Sequence, residues 1–268
     1  MSTQEPSRVV LVTGGGSGIG AAVASRLSAT GWKVVICGRR KESLEAVAKR
    51  TGAEPIVCDI SDATQVEALV DEVVTRFARL DGLVLNAGVI ASGKVGDLSL
   101  DDWHNMVSIN LTGSFYVARS CLPHLLKSRG AVVSVASEAA LRASSEMSCY
   151  SATKAALLML TQSLAVDYGA EGLRANVVCP GWTITEMADE EMASFGESRG
   201  LSVDDAYGLI TSLVPLQRPA RADEVAAVIA FLLSEDSSYV NGVVIPVDGG
   251  GIAVDPATVL YDPRVSID

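Results

Sequence analysis

Short runs of apolar residues alternate with longer amphipathic stretches along most of this chain. The apolar runs have the length of strands and are mostly continuous, which is typical of strands that helices cover on both faces. They lie at 9–12, 33–37, 55–58, 83–85, 131–135, 175–179 and 243–247. Helical patterns lie between them, at 18–30, 41–51, 62–79, 101–127, 149–170 and 222–234. This alternation predicts an α/β fold with a doubly wound, seven-stranded parallel sheet.

One stretch, residues 183–215, interrupts this alternation. It contains several acidic residues, then Phe195-Gly-Glu-Ser-Arg-Gly200, then a second helical pattern. Because it follows a strand end, where ligands bind in such sheets, we interpret it as a mobile helical lid over a substrate. The alternative is a helical insertion on the surface. The whole chain, 1–268, is predicted to form a single domain, with a C-terminal tail at 252–268 that has no clear pattern.

Composition narrows the class of partner. The 268 residues are 49% hydrophobic, enough for a sizeable core, and the formal net charge is −11. An acidic surface repels phosphate backbones, so no nucleic-acid partner is expected. Residues 1–7 are polar, unlike the apolar region of a signal peptide, and the apolar run near 225–233 is too short to span a bilayer. We therefore expect a cytoplasmic protein that does not bind membranes.

The cysteines and histidines give no sign of a metal site. The five cysteines are scattered through apolar segments without a CxxC pair, so free buried thiols are expected. Cys149 could line a pocket beside Tyr150, but no histidine lies near it in sequence. The histidines, His104 and His124, share one long helical pattern and are interpreted as surface or packing residues.

A glycine-rich turn joins the first strand to the first helix. It reads Thr13-Gly-Gly-Gly-Ser-Gly-Ile-Gly20. Glycine permits a tight turn and close backbone approach, and the helix N-terminus offers free N–H groups and partial positive charge to a pyrophosphate. Between a strand and a helix, this spacing predicts a Rossmann-type dinucleotide site. No Gly-Lys-Ser/Thr follows, which excludes a P-loop.

The next strand ends without the acidic residue that usually binds the ribose 2′-hydroxyl. It ends instead in Cys37-Gly-Arg39-Arg40. Two guanidinium groups can bind a 2′-phosphate, so the sequence favours NADP, with NAD possible. Alternatively, both arginines are surface charges that flank a helix. Asp59, after the third strand, could bind the adenine amino group or cap the following helix, and Asn86-Ala-Gly88 brings a small-residue turn to the same sheet edge.

Tyr150 and Lys154 stand four residues apart ahead of an apolar helical run. On a helix, residues at this spacing share one face. At roughly 4 Å and an effective dielectric near 20, a cation attracts a phenolate by about 4 kcal/mol. That energy corresponds to roughly three pK units, which would bring the pKa of the phenol from about 10 toward 7. A tyrosine with such a pKa is a general acid or base at neutral pH.

These motifs together identify a resemblance. Thr13-Gly-x-x-x-Gly-x-Gly20, Asn86-Ala-Gly88, Asn110, Ser137, Tyr150-x-x-x-Lys154 and Pro180-Gly-x-x-x-Thr185 occur in the order of the short-chain dehydrogenase/reductase family. The chain resembles the common form of that family, of roughly 250 residues, from about residue 7 to residue 250.

The resemblance implies a role for each matching residue. Tyr150 would exchange a proton with a substrate oxygen, Ser137 would hydrogen-bond that oxygen, and Lys154 would lower the pKa of the phenol and hold the nicotinamide ribose. Asn110 would help to hold a water that connects Lys154 with solvent, and Trp182 would contact the substrate. The cofactor site would comprise Gly14, Ser17, Gly18, Ile19, Gly20, Arg39, Arg40, Asp59, Ile60, Asn86, Ala87, Gly88, Tyr150, Lys154, Pro180, Gly181, Thr183 and Thr185.

The implied activity is an NADP(H)-dependent oxidoreductase that transfers hydride between nicotinamide and a carbonyl or secondary alcohol. The alternatives are an NAD-dependent diol or sugar dehydrogenase on the same fold and a non-catalytic dinucleotide-binding protein. The family's fold accepts many small-molecule substrates, so the sequence does not choose among them. Candidate pocket residues are Ile90 to Val95, Glu138 to Met147, Trp182 and Met187. The resemblance also implies a homotetramer, with a dimer as the alternative, packed through the helices predicted at 101–127 and 149–170 and the final strand region near 247–250.

Overall fold

The computed structural model describes residues 7–262 and 264–265. Within them, the strands are β1 (Val9–Thr13), β2 (Lys33–Gly38), β3 (Glu54–Val57), β4 (Gly82–Leu85), β5 (Ala131–Val135), β6 (Arg174–Pro180), β7 (Thr183–Ile184), β8 (Ala220–Arg221) and β9 (Val244–Val247). The α-helices are α1 (Gly18–Ala29), α2 (Lys41–Thr51), α3 (Ala63–Phe77), α4 (Leu100–Met106), α5 (Ser114–Ser128), α6 (Ser148–Tyr168), α7 (Glu186–Glu197), α8 (Val203–Ile210) and α9 (Ala222–Leu233).

Seven strands form one parallel sheet in the order β3-β2-β1-β4-β5-β6-β9. The chain builds outward from β1 to β3 and then returns to the other side of β1 with β4. This reversal of strand order opens a crevice at the carboxyl ends of β1 and β4. The seven strands predicted from the apolar runs match these strands to within one residue at each end. The predicted α/β fold with a doubly wound, Rossmann-type parallel sheet is confirmed.

Helices cover the sheet on both faces, because successive strand side chains point to opposite sides. In β1, Val9 and Leu11 join one buried apolar cluster, whereas Val10 and Val12 join the other. The first cluster packs α3 and α5 against the sheet, and the second packs α1 and α9. Both faces of β1 are thus buried, which explains why its sequence is continuously apolar from Val9 to Val12 and not alternating.

The predicted helix at 101–127 is wrong in one respect, because α4 and α5 are separated by a π-helical segment, Val107–Gly113. Asn110, at the centre of this segment, is fully buried. Its amide must find partners, and it bonds to the backbone of Val89 and to Thr153. Gly113 lets the segment approach the Ile60 carbonyl, which would lie 2.8 Å from a Cβ at this position. π-helical turns of this kind are frequent at functional sites.

The segment at 183–215 is a helical insertion, as predicted, with β7 at its start paired to β8. Helices α7 and α8 pack on each other through a small apolar cluster that includes Ala188, Met192 and Tyr207. The Tyr207 hydroxyl also donates a hydrogen bond to Asp189, at 2.8 Å. These contacts make the two helices one packed unit, which we call the α7–α8 lid. Its mobility stays a prediction.

The described part of the C-terminal tail, where the sequence shows no clear pattern, contains two short 3₁₀ segments, Gly251–Ala253 and Pro256–Tyr261. Arg142 donates to the Val254 carbonyl at 3.2 Å, and Arg264 donates to the Ser212 carbonyl at 2.6 Å. The described tail therefore connects the segment after β5 with the end of the lid. None of the described helices is long and apolar enough to cross a membrane.

Candidate active site

A cleft of about 400 Å³ runs along the carboxyl edge of the sheet. Its walls come from the glycine-rich turn, the ends of β2 to β6, the first turns of α6 and the lid. Nearly all the residues that the sequence predicts for the site line this cleft: Gly14, Ser17, Gly18, Ile19, Arg39, Arg40, Asp59, Ile60, Asn86, Ala87, Gly88, Ser137, Tyr150, Lys154, Pro180, Gly181, Trp182, Thr183 and Thr185. Gly20 and Asn110 lie behind its wall.

The glycine-rich turn is held against the end of β4. The Asn86 side chain donates to the carbonyls of Thr13 and Gly14, at 2.9 and 3.2 Å. Gly14 has a φ of 64°, which favours glycine. A Cβ on Gly20 would lie 2.3 Å from the Gly14 carbonyl oxygen, so this position has no room for a side chain. The two strand ends and the turn therefore form one rigid unit.

The N-terminus of α1 faces the cleft without a side-chain cap. Its N-cap residue, Ser17, has an extended backbone and makes no capping hydrogen bond. The first N–H groups of a helix lack partners within the helix and carry partial positive charge. A pyrophosphate at this point would satisfy them. The glycine cradle and the uncapped helix together fit the diphosphate of a dinucleotide.

The two arginines at the end of β2 have different surroundings. Arg40 is the N-cap residue of α2, and its guanidinium donates to Ser17 Oγ at 3.2 Å and to Glu186 Oε2 at 3.0 Å. Within the described chain, the exposed Arg39 side chain has no hydrogen-bond or ion-pair partner. Arg39 is thus free to bind an anion, whereas Arg40 is paired with the first residue of the lid.

Asp59 lines the cleft and does not cap the following helix. Its Oδ1 accepts hydrogen bonds from the backbone and the side chain of Ser61, at 3.0 and 2.7 Å. Asp62 caps α3 instead, by accepting from the backbone N–H groups of Thr64 and Gln65. Of the two interpretations of Asp59, the structure excludes the cap.

Lys154 is buried beneath the cleft floor. Its ammonium group donates to the Val135 carbonyl at 2.9 Å, at the end of β5. Burial lowers the pKa of this amine to about 8. Asn110 does not touch Lys154 through its amide; it holds Val89 and Thr153, the neighbour of Lys154 on α6. The π-helical segment thereby anchors the turn of α6 that carries the lysine.

Tyr150 stands one helical turn before Lys154, but the expected fall in its pKa is wrong. The pKa of the phenol is raised to about 12, chiefly by burial; the Ser137 hydroxyl lowers it, and the charges of Glu191 and Glu138 add to the rise. The ammonium lies 5.7 Å from the centre of the tyrosine ring and bonds to Val135. Because burial raises its pKa and the ammonium is directed at a carbonyl, the phenol is neutral and retains its proton at pH 7.

The buried lysine has a testable effect on stability. Its pKa of about 8 in the folded protein lies below the value of about 10.5 in an unfolded chain. Between these values only the unfolded chain keeps the proton, so stability rises with pH in this window. We expect the free energy of unfolding of wild type, relative to Lys154→Met, to increase by up to about 3 kcal/mol from pH 8 to 10.5. Urea unfolding at several pH values measures it, and a constant difference would contradict this assignment.

Two carboxyl groups, those of Glu138 and Glu191, line the cleft with the phenol. Only Glu138 is among the pocket residues that the sequence predicts. Glu138 follows Ser137 in a 3₁₀ turn, and Glu191 comes from α7 of the lid. Burial, followed by the charge of Asp248, raises the pKa of Glu138 to about 7, and burial raises the pKa of Glu191. The sequence signal for Glu191 was its spacing from Met187 and Ala188, which puts the three residues on one helix face.

Of the remaining candidate pocket residues, some line the cleft and others do not. Ile90, Ser144, Met147 and Met187 line the cleft, whereas Val95 is 81% exposed and does not. Ser134 packs inside the sheet, 2.7 Å from the Thr161 hydroxyl, as expected. The side chains of Thr183 and Thr185 are engaged locally: Thr183 donates to the Gly181 carbonyl, and Thr185 caps α7.

Comparisons with known proteins agree with this geometry. A family model described as enoyl-(acyl carrier protein) reductase matches residues 14–251. Meso-2,3-butanediol dehydrogenase of Serratia marcescens is 38% identical over 256 residues, which cover 93% of this chain and 96% of that protein. The crystal structure of levodione reductase superimposes with a TM-score of 0.87 at 38% identity, covering 92% of this chain and 98% of that one.

A further similar structure is that of a variant of actinorhodin polyketide ketoreductase with NADPH. It has a TM-score of 0.87 and 34% identity, and it covers 93% of this chain and 98% of that one. The family match spans the glycine-rich turn, the Tyr150–Lys154 pair and the lid. The chain therefore belongs to the short-chain dehydrogenase/reductase family, and it is an oxidoreductase of the kind that acts on CH–OH or carbonyl groups.

Proposed function

We propose that this chain is an NADP(H)-dependent oxidoreductase that interconverts a carbonyl and a secondary alcohol, with Tyr150 as general acid and base. The observation that carries this proposal is the position of the phenol, which lines the cleft beside Ser137 and Lys154. The glycine-rich turn lines the same cleft and fits a dinucleotide diphosphate. A relative with NADPH and relatives named for butanediol and levodione support the reaction class.

The side chains act on the substrate oxygen. When bound, the nicotinamide supplies or accepts the hydride. During carbonyl reduction, Tyr150 donates its proton to the oxygen as negative charge develops there, and Ser137 donates a hydrogen bond to the same oxygen. The ammonium of Lys154 stabilises the resulting phenolate from beneath the ring. In alcohol oxidation the phenolate of Tyr150 accepts the proton, which requires a pKa lower than about 12.

The cofactor preference rests on Arg39. Its unpaired guanidinium at the end of β2 supports binding of a 2′-phosphate, and no carboxylate stands at the end of that strand to bind a 2′-hydroxyl. The NAD-dependent diol or sugar dehydrogenase remains a second candidate, favoured by the pairing of Arg40 with Glu186 and by the butanediol relative. We expect Arg39→Ala to weaken NADPH binding about 10- to 100-fold and to leave NADH binding within about twofold. Fluorescence titration with both cofactors measures this.

Glu186→Gln is the matched variant for testing the cofactor preference. It removes a carboxylate that competes for Arg40, and both partners of this ion pair are largely exposed. Exposed pairs contribute at most about 1 kcal/mol, so we expect NADPH to bind about 2- to 5-fold more tightly. NADPH binding that is unchanged in Arg39→Ala would exclude the arginine as the 2′-phosphate ligand and would favour the NAD alternative.

We also propose that the protein is a cytoplasmic homotetramer. The large apolar residues Phe115, Met159 and Val166 are 45%, 59% and 81% exposed on α5 and α6, which supports helix packing between subunits. The five cysteines are free and buried, which supports a reducing compartment. Light scattering after gel filtration tests the assembly: a mass near 112 kDa, four times 27.9 kDa, is expected.

Turnover of a panel of ketones and secondary alcohols, followed by NAD(P)H absorbance, tests the activity. Reduction of at least one neutral ketone with NADPH is expected. Tight dinucleotide binding without turnover of any member would instead support the remaining alternative, a non-catalytic binding protein. The residues to which the family resemblance assigns the reaction, Asn110, Ser137, Tyr150 and Lys154, are all present in this chain, which supports the enzyme.

A further inference from the structure

The α7–α8 lid has an apolar core of its own. Its buried residues and the side chains packed against them come from one stretch of chain and include Trp182, Ala188, Met192, Phe195, Ala206 and Tyr207. Within the part of the chain that the structure describes, none of these residues belongs to the two clusters that pack helices on the sheet. The lid can therefore move as one body without breaking the packing on either face of the sheet.

One ion pair ties the first turn of the lid to the glycine-rich turn. Glu186 is the first residue of α7, and its Oε2 accepts a hydrogen bond from Arg40 Nη2 at 3.0 Å. The same nitrogen donates to Ser17 Oγ at 3.2 Å. Among the hydrogen bonds and ion pairs between described residues, only the pair of Arg40 and Glu186 joins α7 to residues outside the insertion at 183–215. Loss of this pair would free the first turn of α7.

Helix α7 runs between the two ends of the cleft. A Cβ on Gly18 would lie 3.0 Å from Thr185 Cγ2, so the residue before α7 rests against the first residue of α1, at the nucleotide end. Farther along α7, Met187 and Glu191 line the cleft together with Tyr150, at the substrate end. A displacement of the first turn of α7 would therefore also move side chains that cover the substrate end.

A 2′-phosphate would compete with Glu186 for Arg40. Arg40 and Arg39 both line the cleft at the end of β2, where the 2′-phosphate of NADP(H) is proposed to bind. A phosphate monoester carries about two negative charges at pH 7 and can accept two hydrogen bonds from one guanidinium. Glu186 carries one charge, and the two side chains of its ion pair are 64% and 62% exposed, which makes the pair weak. The phosphate is therefore expected to displace Glu186 from Arg40.

We propose that Arg40 and Glu186 form a latch that the 2′-phosphate of the cofactor opens, so that NADP(H) releases the α7–α8 lid whereas NAD(H) leaves it closed. Once Arg40 binds the phosphate, Glu186 faces a group of like charge, and repulsion moves the first turn of α7 away. Such a coupling is reciprocal, so an open lid also favours the cofactor that carries the phosphate. The inference rests on the proposed binding of NADP(H) at the end of β2.

The test measures the distance between α2 and α7 by double electron–electron resonance. Spin labels are attached to Glu42→Cys and Glu190→Cys, at two exposed positions on these helices. The five native cysteines are at most 1% exposed, so the labels react with the introduced cysteines. NADH and NADPH, which differ only by the 2′-phosphate, are each added at saturation. Because the ion pair is exposed, we expect the population at the longer distance to be about 2- to 5-fold larger with NADPH than with NADH.

Glu186→Gln in the labelled protein removes the carboxylate of the latch. It should show the larger open population with NADH and without any cofactor, and NADPH should add nothing further. The control is Glu197→Gln, which removes an exposed carboxylate from the last residue of α7 and should behave as the labelled parent does.

Equal distance distributions with NADH and NADPH overturn the inference, as do equal distributions in Glu186→Gln and the labelled parent with NADH. Equal opening in Glu186→Gln and Glu197→Gln also overturns it, because the effect would then reflect only the charge of the lid. Fluorescence titration of the same samples with NADPH separates the inference from the proposed function. Bound NADPH without a change in distance overturns the latch alone, whereas failure of NADPH to bind overturns both.

Discussion

Tyr150→Phe is expected to lower kcat for carbonyl reduction by about 10²- to 10⁴-fold, the usual contribution of a positioned general acid. The phenol has a pKa of about 12, so at pH 7 it is a proton donor, and phenylalanine offers no proton at this place. The ring itself remains, with Lys154 beneath it. Cofactor binding is therefore expected to change by less than about threefold. Stopped-flow measurement of NADPH oxidation with the best ketone of the panel gives the rate.

The comparison variant is Tyr207→Phe, which removes a buried hydroxyl from the lid and not from the cleft. Tyr207 donates to Asp189 at 2.8 Å, so its loss is expected to cost about 1 kcal/mol of stability while kcat falls far less than in Tyr150→Phe. Equal kcat in wild type and Tyr150→Phe, with circular dichroism unchanged, would remove Tyr150 from the reaction.

Gly20→Ala is expected to weaken dinucleotide binding about tenfold or more and to destabilise the fold by about 1–3 kcal/mol. The added Cβ would lie 2.3 Å from the Gly14 carbonyl oxygen and 2.6 Å from Asn86 Nδ2. Neither atom can retreat freely, because Asn86 holds the turn through the carbonyls of Thr13 and Gly14. The turn must therefore shift, and the pyrophosphate cradle shifts with it. Urea unfolding and fluorescence titration with NADPH measure the two effects.

Gly208→Ala provides the matched glycine substitution outside the cleft. Gly208 lies in α8, and a Cβ there would meet nothing within 4 Å. Alanine is the better helix former, so this variant should be as stable as wild type or up to about 1 kcal/mol more stable, with unchanged cofactor binding. Similar losses in Gly20→Ala and Gly208→Ala would show that the steric argument for the turn is wrong.

The sequence predicts those parts of the candidate site whose residues lie together in one short segment. The turn from Thr13 to Gly20 and the pair Tyr150–Lys154 depend on spacings within one strand–turn–helix or one helix, and local geometry determines what they present. The direction in which Lys154 points was not readable, because its partner, the Val135 carbonyl, lies on another element. The expected fall in the pKa of Tyr150 failed chiefly because the phenol is buried, and burial, like the partner of Lys154, depends on other elements. Spacing shows which residues share a face but not how deeply they are buried or which atoms they bind.

The π-helical segment and the carboxyl groups show the same limit. Asn110 distorts its helix because Val89 and Thr153 offer partners for a buried amide, and no pattern within 101–127 contains them. Glu138 acquires its raised pKa from burial and from Asp248, which approaches only when β9 pairs with β6. Arg40 likewise meets Glu186 only after the lid has folded over the turn.

By itself, the amino-acid sequence determined the order of strands and helices, the parallel sheet and the two motifs of the cleft, because continuous apolar runs and fixed spacings are local properties of the chain. Tertiary structure decided which polar groups meet in that cleft and with what charge: the lysine bound to a carbonyl, the neutral phenol, the half-buried carboxyl of Glu138 and the arginine paired with the lid. The physical reason is that desolvation and hydrogen bonding act between atoms that are distant in sequence, and only packing brings those atoms together.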